Sequence, residues 1–316
     1  MLTLPAAGLL KERHPGCRIT FLGRGYTRPV LEACEHVDAF LDWDALAGLP
    51  ADEARAALAA LDVDTFVHVH PRREVARLAA GAGVPHRIGT WARWYHWIPC
   101  NRLVRLDRRD SDLHEAQLNV KLLEPLGVAG SFTRDDLAAR YGLTCVQPLA
   151  EGVKVLLDAS RANIILHPGS GGSAREWGVH NFTALLECLP SDRYNLFVTG
   201  SAAEGTRLRP FLAAHPRLHD LTGDLDLGQL ISFIRAADGL VAASTGPLHL
   251  AAALGRRAIG LFAPRRPIHP GRWAPLGPRA THLVLDEDCE ACLKARECAC
   301  IERIPPERVR EALEAA

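Results

Sequence analysis

The residues of this chain best suited to chemistry gather where an apolar run gives way to a helical pattern. The segment His167-Pro-Gly-Ser-Gly-Gly-Ser-Ala-Arg-Glu-Trp177 follows the apolar run Ile164–Leu166 and precedes a helical stretch from Asn181. Glycines at such a junction let backbone N–H groups turn toward a ligand, and the helix dipole favours an anion there. Gly169, Ser170, Gly171, Gly172 and Ser173 therefore form a candidate anion cradle. Arg175 adds a permanent cation whose forked donors suit a phosphate. The competing account is a glycine-rich turn with a solvated arginine and no ligand.

A second junction of the same kind is Ala243-Ser-Thr-Gly-Pro-Leu-His-Leu250. Ser244 or Thr245 is placed to cap the helix, and Pro247 suits its first turn. Those hydroxyls, with the free N–H groups at Gly246, make another anion cradle. His249, one turn in, is either a ligand contact or a buried structural histidine. Between the two lies Thr199-Gly-Ser-Ala-Ala-Glu204, where Glu204 either accepts from ribose hydroxyls or is a first-turn glutamate favoured by the dipole. Two cradles in one domain suggest a diphosphate flanked by larger groups.

The elements that must position these loops alternate along the chain. Strand-like runs are expected at Arg18–Leu22, Asp64–Val69, Pro85–Ile88, Asn163–Leu166, Asn195–Val198, Gly239–Ala242 and Ala258–Phe262. Helical patterns fall at Pro5–Arg13, Asp52–Leu61, Arg72–Ala82 and Leu113–Leu126 in the first half. In the second they fall at Asn181–Leu189, Ala203–Ala214, Gly228–Ala237, Pro247–Leu254 and Glu307–Ala316. Strands spaced by helices imply βαβ units and parallel sheets, an α/β protein. Both cradles then lie at the C-terminal ends of parallel strands, where open sheets bind ligands. A length of 316 residues favours two domains, expected as 1–155 and 156–316.

Composition narrows the function classes. Hydrophobic residues at 48% and charged residues at 23% fit a globular chain rather than a disordered one. Lys+Arg and Asp+Glu both number 37, which argues against a broad nucleic-acid-binding face. No apolar run reaches membrane-spanning length, and Met1–Leu10 lacks the basic start of a signal peptide. An odd nine cysteines, five of them scattered, points to a reducing cytoplasm. The other four, Cys289, Cys292, Cys298 and Cys300, could hold a tetrahedral zinc. Their spacing departs from paired CxxC motifs, however, and reduced or reversibly oxidised structural thiols are the favoured expectation. No Walker A loop, no G-x-G-x-x-G after a strand and no G-x-S-x-G elbow is present. In the first half, His68-Val-His-Pro-Arg-Arg-Glu74 ends a strand and opens a helix. Arg72 and Arg73 oppose the dipole there, which marks them as candidates for an anionic ligand.

HPGSGGSAREW, the TGSAAEG loop and LTGDLDLGQLISFIRAADGLVAASTGPLHLAAALG together resemble glycosyltransferase family nine, the ADP-heptose:lipopolysaccharide heptosyltransferases. The likeness extends through VDTFVHVHPRRE, AGVPHRIGT, LHEAQLNVKLLEPLG and the cysteine segment. It implies two facing Rossmann-like domains, the GT-B-type fold, and inverting transfer of heptose or a related sugar without metal ion or cofactor. The donor, an ADP-sugar, would have its diphosphate between Gly169–Ser173, Arg175 and Ser244–Gly246. Arg175 would stabilise the leaving group, Glu204 would meet the ribose, and His249 matches the histidine of the family's D-T-G-x-x-H motif. The acceptor would be an anionic glycolipid gripped by Arg72 and Arg73. The enzyme would be cytoplasmic, with peripheral contact at the inner membrane face and no nucleic-acid partner.

Three departures qualify the likeness. Ser244 stands where many members have aspartate, and Arg175 replaces the usual lysine. Family members also open with an apolar strand and a Gly-Asp-Val turn whose aspartate is the proposed base. That strand is expected ahead of Met1, the chain's one methionine, which would then be internal. The base is unassigned in this chain, with His68 and His70 as conceivable substitutes. A sugar-nucleotide-binding protein without turnover is the alternative reading, and a zinc-dependent interaction module is a third.

Overall fold

A computed structural model describes residues 1–109, 111–172, 174–294 and 298–315. They divide into two compact units, Leu2–Cys145 and Val146–Ala316. The boundary expected at 155/156 falls later than this division. Residues 146–155 join the second unit because Ser232 Oγ donates to Gln147 O at 2.8 Å and the Ala150 N–H donates to Gln229 Oε1 at 2.8 Å.

The second unit is built on one parallel sheet. Its strands are β6 (Ala162–His167), β7 (Tyr194–Val198), β8 (Leu218–Asp220), β9 (Gly239–Ala243), β10 (Arg257–Phe262) and β11 (Ala280–Val284). They lie in the order β11-β10-β9-β6-β7-β8. Ile164, Ile165 and Leu166 of β6 and Leu240 and Val241 of β9 are buried. Helices on both faces explain why these strands read as unbroken apolar runs. The chain runs outward from β6 through β7 to β8, then crosses back to β9, which pairs with the other side of β6. That reversal opens a crevice at the C-terminal ends of β6 and β9, the place where such sheets bind ligands.

Trp177 anchors the core beside this crevice. Its ring meets Phe182 edge-on at 5.0 Å, and its Nε1–H donates to Ile304 O at 2.9 Å. The segment before the Pro306–Glu314 helix is thereby fastened to the Val179–Cys188 helix.

The first unit has five strands: β1 (Thr20–Gly23), β2 (Ala39–Asp42), β3 (Thr65–Val67), β4 (His86–Thr90) and β5 (Arg102–Val104). They form two separate parallel sheets, β1-β2 and β3-β4-β5. Among the described residues no strand joins the two sheets. The helix expected at 113–126 divides into Glu115–Lys121 and a short 3-10 turn, Glu124–Leu126. Pro125 starts the break and Gly127, at φ 78°, ends it. Among the described residues no helix is long and apolar enough to cross a membrane.

Candidate functional site

The two junction loops come together as the topology requires, because β6 and β9 are neighbours. The loop after β6 holds Gly171 and Gly172 in left-handed backbone, at φ 55° and 82°. A side chain at either position would be strained. Its N–H groups, however, do not face outward as expected. Ser170 N–H donates to Glu176 Oε1 at 2.9 Å, Gly171 N–H to Glu204 Oε1 at 3.1 Å, and Gly172 N–H to Ser170 Oγ at 3.2 Å. Two of this protein's own carboxylates thus occupy the positions expected for a bound anion. Ser173, expected in the same cradle, lies outside the described residues.

Glu204 shows the first-turn alternative. It closes a capping box in which its Oε2 accepts from Ser201 N–H at 2.7 Å and Ser201 Oγ at 2.9 Å. A Cβ on Gly169 would come within 2.1 Å of Glu204 Oε1, so a side chain there would displace the Glu204 carboxylate from these bonds. Hydrogen bonds from Ser201 and Gly171 hold the Glu204 carboxyl below the usual range, outweighing its burial. Glu204 thus ties the β6 loop to the β7 loop.

The loop after β9 is different. Thr245 takes the N-cap position of the Gly246–Ala253 helix, with extended backbone at φ −130° and ψ 167°. Neither Ser244 nor Thr245 caps that helix, contrary to expectation: the Thr245 side chain makes no capping hydrogen bond. Thr245 is 5% exposed, and its Oγ1 is buried without a hydrogen-bond partner among the described residues. A buried hydroxyl left in this way is costly unless something meets it. Gly246 is exposed, with nothing within 4 Å of where a Cβ would stand. Pro247 lies in the first turn as expected, and His249 is buried one turn in.

Arg175 is half-buried, and its Nη1 donates to the carbonyl of Cys298. The guanidinium fork has further donors beyond that one. Beneath the loop, His167 Nδ1 lies 2.9 Å from Thr199 Oγ1, and burial pushes its pKa down. A cavity of about 520 Å³ lies at the opposite strand ends. Two of the arginines that line it are paired, Arg161 with Asp158 and Arg193 with Glu314.

The family model for glycosyltransferase family 9 (heptosyltransferase) matches residues 74–300. The chain belongs to glycosyltransferase family 9. It is 29% identical to lipooligosaccharide heptosyltransferase 2 of Haemophilus influenzae over 300 residues, covering 88% of this chain and 83% of that one. The structure of Escherichia coli ADP-heptose lipopolysaccharide heptosyltransferase II superposes with a TM-score of 0.74 at 21% identity, covering 99% and 93% of the two chains. The E. coli heptosyltransferase WaaC with ADP gives 0.73 at 15% identity, covering 99% and 94%. The fold is of the GT-B type, and the chain is a glycosyltransferase.

In the first unit of this glycosyltransferase, Arg72 and Arg73 are both exposed. Arg72 lies 3.7 Å from the Glu74 carboxylate, and the Arg73 guanidinium sits 5.3 Å above the Trp94 ring. Trp91 stacks on Trp97 at 5.5 Å, and Trp91, Trp94, Trp97 and Ile98 are all exposed. Sequence reasoning missed this aromatic group, although three tryptophans in seven residues were a signal. It also missed Glu176, whose role depends on the loop closing over it. His68 is buried with neither ring nitrogen partnered among the described residues, and burial with the nearby His96 drives its pKa down to about 3. His70, at the same strand end, is exposed.

Proposed function

We propose that this glycosyltransferase moves heptose, or a related sugar, from an ADP-sugar to a lipopolysaccharide-core acceptor, inverting the anomeric centre without a metal ion. One observation carries the donor half: the bare N-terminus of the Gly246–Ala253 helix, with buried Thr245 Oγ1 beside it, lies at the β6/β9 reversal. Free N–H groups, the dipole and a hydroxyl donor suit a diphosphate. Two similar E. coli structures, ADP-heptose lipopolysaccharide heptosyltransferase II and heptosyltransferase WaaC with ADP, support that choice of donor.

The acceptor oxygen attacks the anomeric carbon on the face opposite the diphosphate. The new C–O bond forms as the bond to the β-phosphate oxygen breaks, and ADP departs with the electron pair. The helix N-terminus and Arg175 stabilise the charge that gathers on ADP. The acceptor's proton must pass to a base. Of the two strand-end histidines only His70 is accessible, since His68 is buried.

On the acceptor side, Arg72, Arg73 and the tryptophan group fit an anionic glycolipid at a membrane surface. Tryptophan favours the interface, and each arginine near an anionic surface contributes about 1 kcal/mol. The enzyme then works at the inner face of the cytoplasmic membrane. The test is to incubate the protein with ADP-heptose and a truncated lipopolysaccharide core in anionic vesicles. The expected product is heavier by one heptosyl unit, and Arg72→Ala should raise the acceptor KM about fivefold. ADP-heptose binding with no transfer would favour a binding protein that lacks turnover.

A further inference from the structure

The four clustered cysteines lie outside the donor site, yet they are placed as a set. Their Sγ atoms are all within 4.8 Å of one another. Cys289 and Cys298 are 3.5 Å apart at sulfur, and Cys298 and Cys300 are 3.0 Å apart. All four are free thiols. Four sulfurs bound at about 2.3 Å around one tetrahedral ion stand about 3.8 Å from each other. The observed spacing brackets that value, so shifts of less than about 1 Å per sulfur would complete the tetrahedron.

We propose that Cys289, Cys292, Cys298 and Cys300 bind a single structural zinc ion. The spacing that looks awkward in sequence is resolved by local structure. Cys289 is the N-cap of a short helix, Glu290–Leu293, so Cys292 returns to the same side one turn later. Cys300 opens the 3-10 turn Ile301–Arg303. Cys292 and Cys300 are buried, and both belong to the core that contains Trp177, Ile301 and Ile304. Four protein thiolates leave no open position, which marks a structural rather than a catalytic ion. Thiolate softness favours zinc over the hard cations. An iron–sulfur cluster holds its cysteines further apart, across several metal centres, and does not fit sulfurs this close.

The ion has a task beyond local order. The Cys298 carbonyl accepts from Arg175, Glu302 O accepts from Asn181 Nδ2 at 2.6 Å, and Ile304 O accepts from Trp177. Zinc therefore fixes the segment against which the donor loop is hung.

The experiment uses the full chain, purified under reducing conditions without chelator and dialysed against zinc. About one zinc per chain is expected. Cobalt exchanged into the site should give the near-ultraviolet charge-transfer bands of cobalt thiolate and the intense visible bands of a tetrahedral ion. Stripping zinc should lower Tm by about 10 °C or more. Cys145→Ser, which changes an exposed cysteine away from the cluster, should leave zinc content unchanged. Less than about a tenth of an equivalent of zinc would overturn the proposal. An octahedral cobalt spectrum, or disulfide-bonded cysteines in the natively purified chain, would do the same.

Discussion

Arg175→Ala is expected to lower kcat by about 10²–10³ while weakening ADP binding much less. Negative charge on the departing diphosphate grows toward the transition state, so a cation aimed there acts mainly on turnover. The guanidinium spends Nη1 on the Cys298 carbonyl, which holds the side chain in place. Arg175→Lys keeps the charge, as in the usual family residue, and should retain activity within about tenfold of the native enzyme. Steady-state kinetics on both variants, with Tm measured alongside, separates lost charge from a loosened fold. An alanine variant with unchanged kcat would remove Arg175 from the chemistry.

Trp177→Ala is expected to have the largest effect on stability, about 3–5 kcal/mol. The side chain is 1% exposed, stacks edge-on with Phe182 and donates to Ile304 O. Alanine leaves a large cavity and strips that carbonyl of its partner. For a unit of this size the loss corresponds to a fall in Tm of about 6–20 °C. Trp177→Phe keeps most of the ring and loses the N–H, so it should cost about 1–3 kcal/mol. Calorimetric or circular-dichroism melting checks both, and an alanine variant melting with the native protein would contradict the packing described.

The buried strands were legible because they are buried on both faces. Ile164-Ile165-Leu166 and Gly239–Ala242 read directly as β6 and β9. The four strands that went unread, β2, β5, β8 and β11, all stand at sheet edges. Edge strands are short and half solvated, so they lack a continuous apolar run. Ala39–Asp42 and Leu218–Asp220 each end on an aspartate.

The site shows a similar limit. Both strand-to-helix loops followed from the alternation of elements, but the β6–β9 pairing that sets them side by side did not. Neither did the choice of which loop offers its N–H groups. That depends on Glu204 reaching Gly171 across 33 positions of sequence, and on Glu176 folding back onto Ser170. Nor could residue types alone show that Thr245 would be buried and left without a capping bond. Local pattern fixes where a loop must be, while long-range contacts decide which of its donors stay free.

The central claim is that the donor diphosphate binds at the start of the Gly246–Ala253 helix, and Thr245→Val tests it most directly. Valine keeps the shape and removes a hydroxyl that has no partner among the described residues. The unliganded protein should therefore be as stable as the native chain or slightly more so. Loss of a hydrogen bond to a charged phosphate should weaken ADP by about 10–100-fold, measured by titration calorimetry. Equal ADP affinity in the two proteins would contradict the account, because it would place the diphosphate away from this helix.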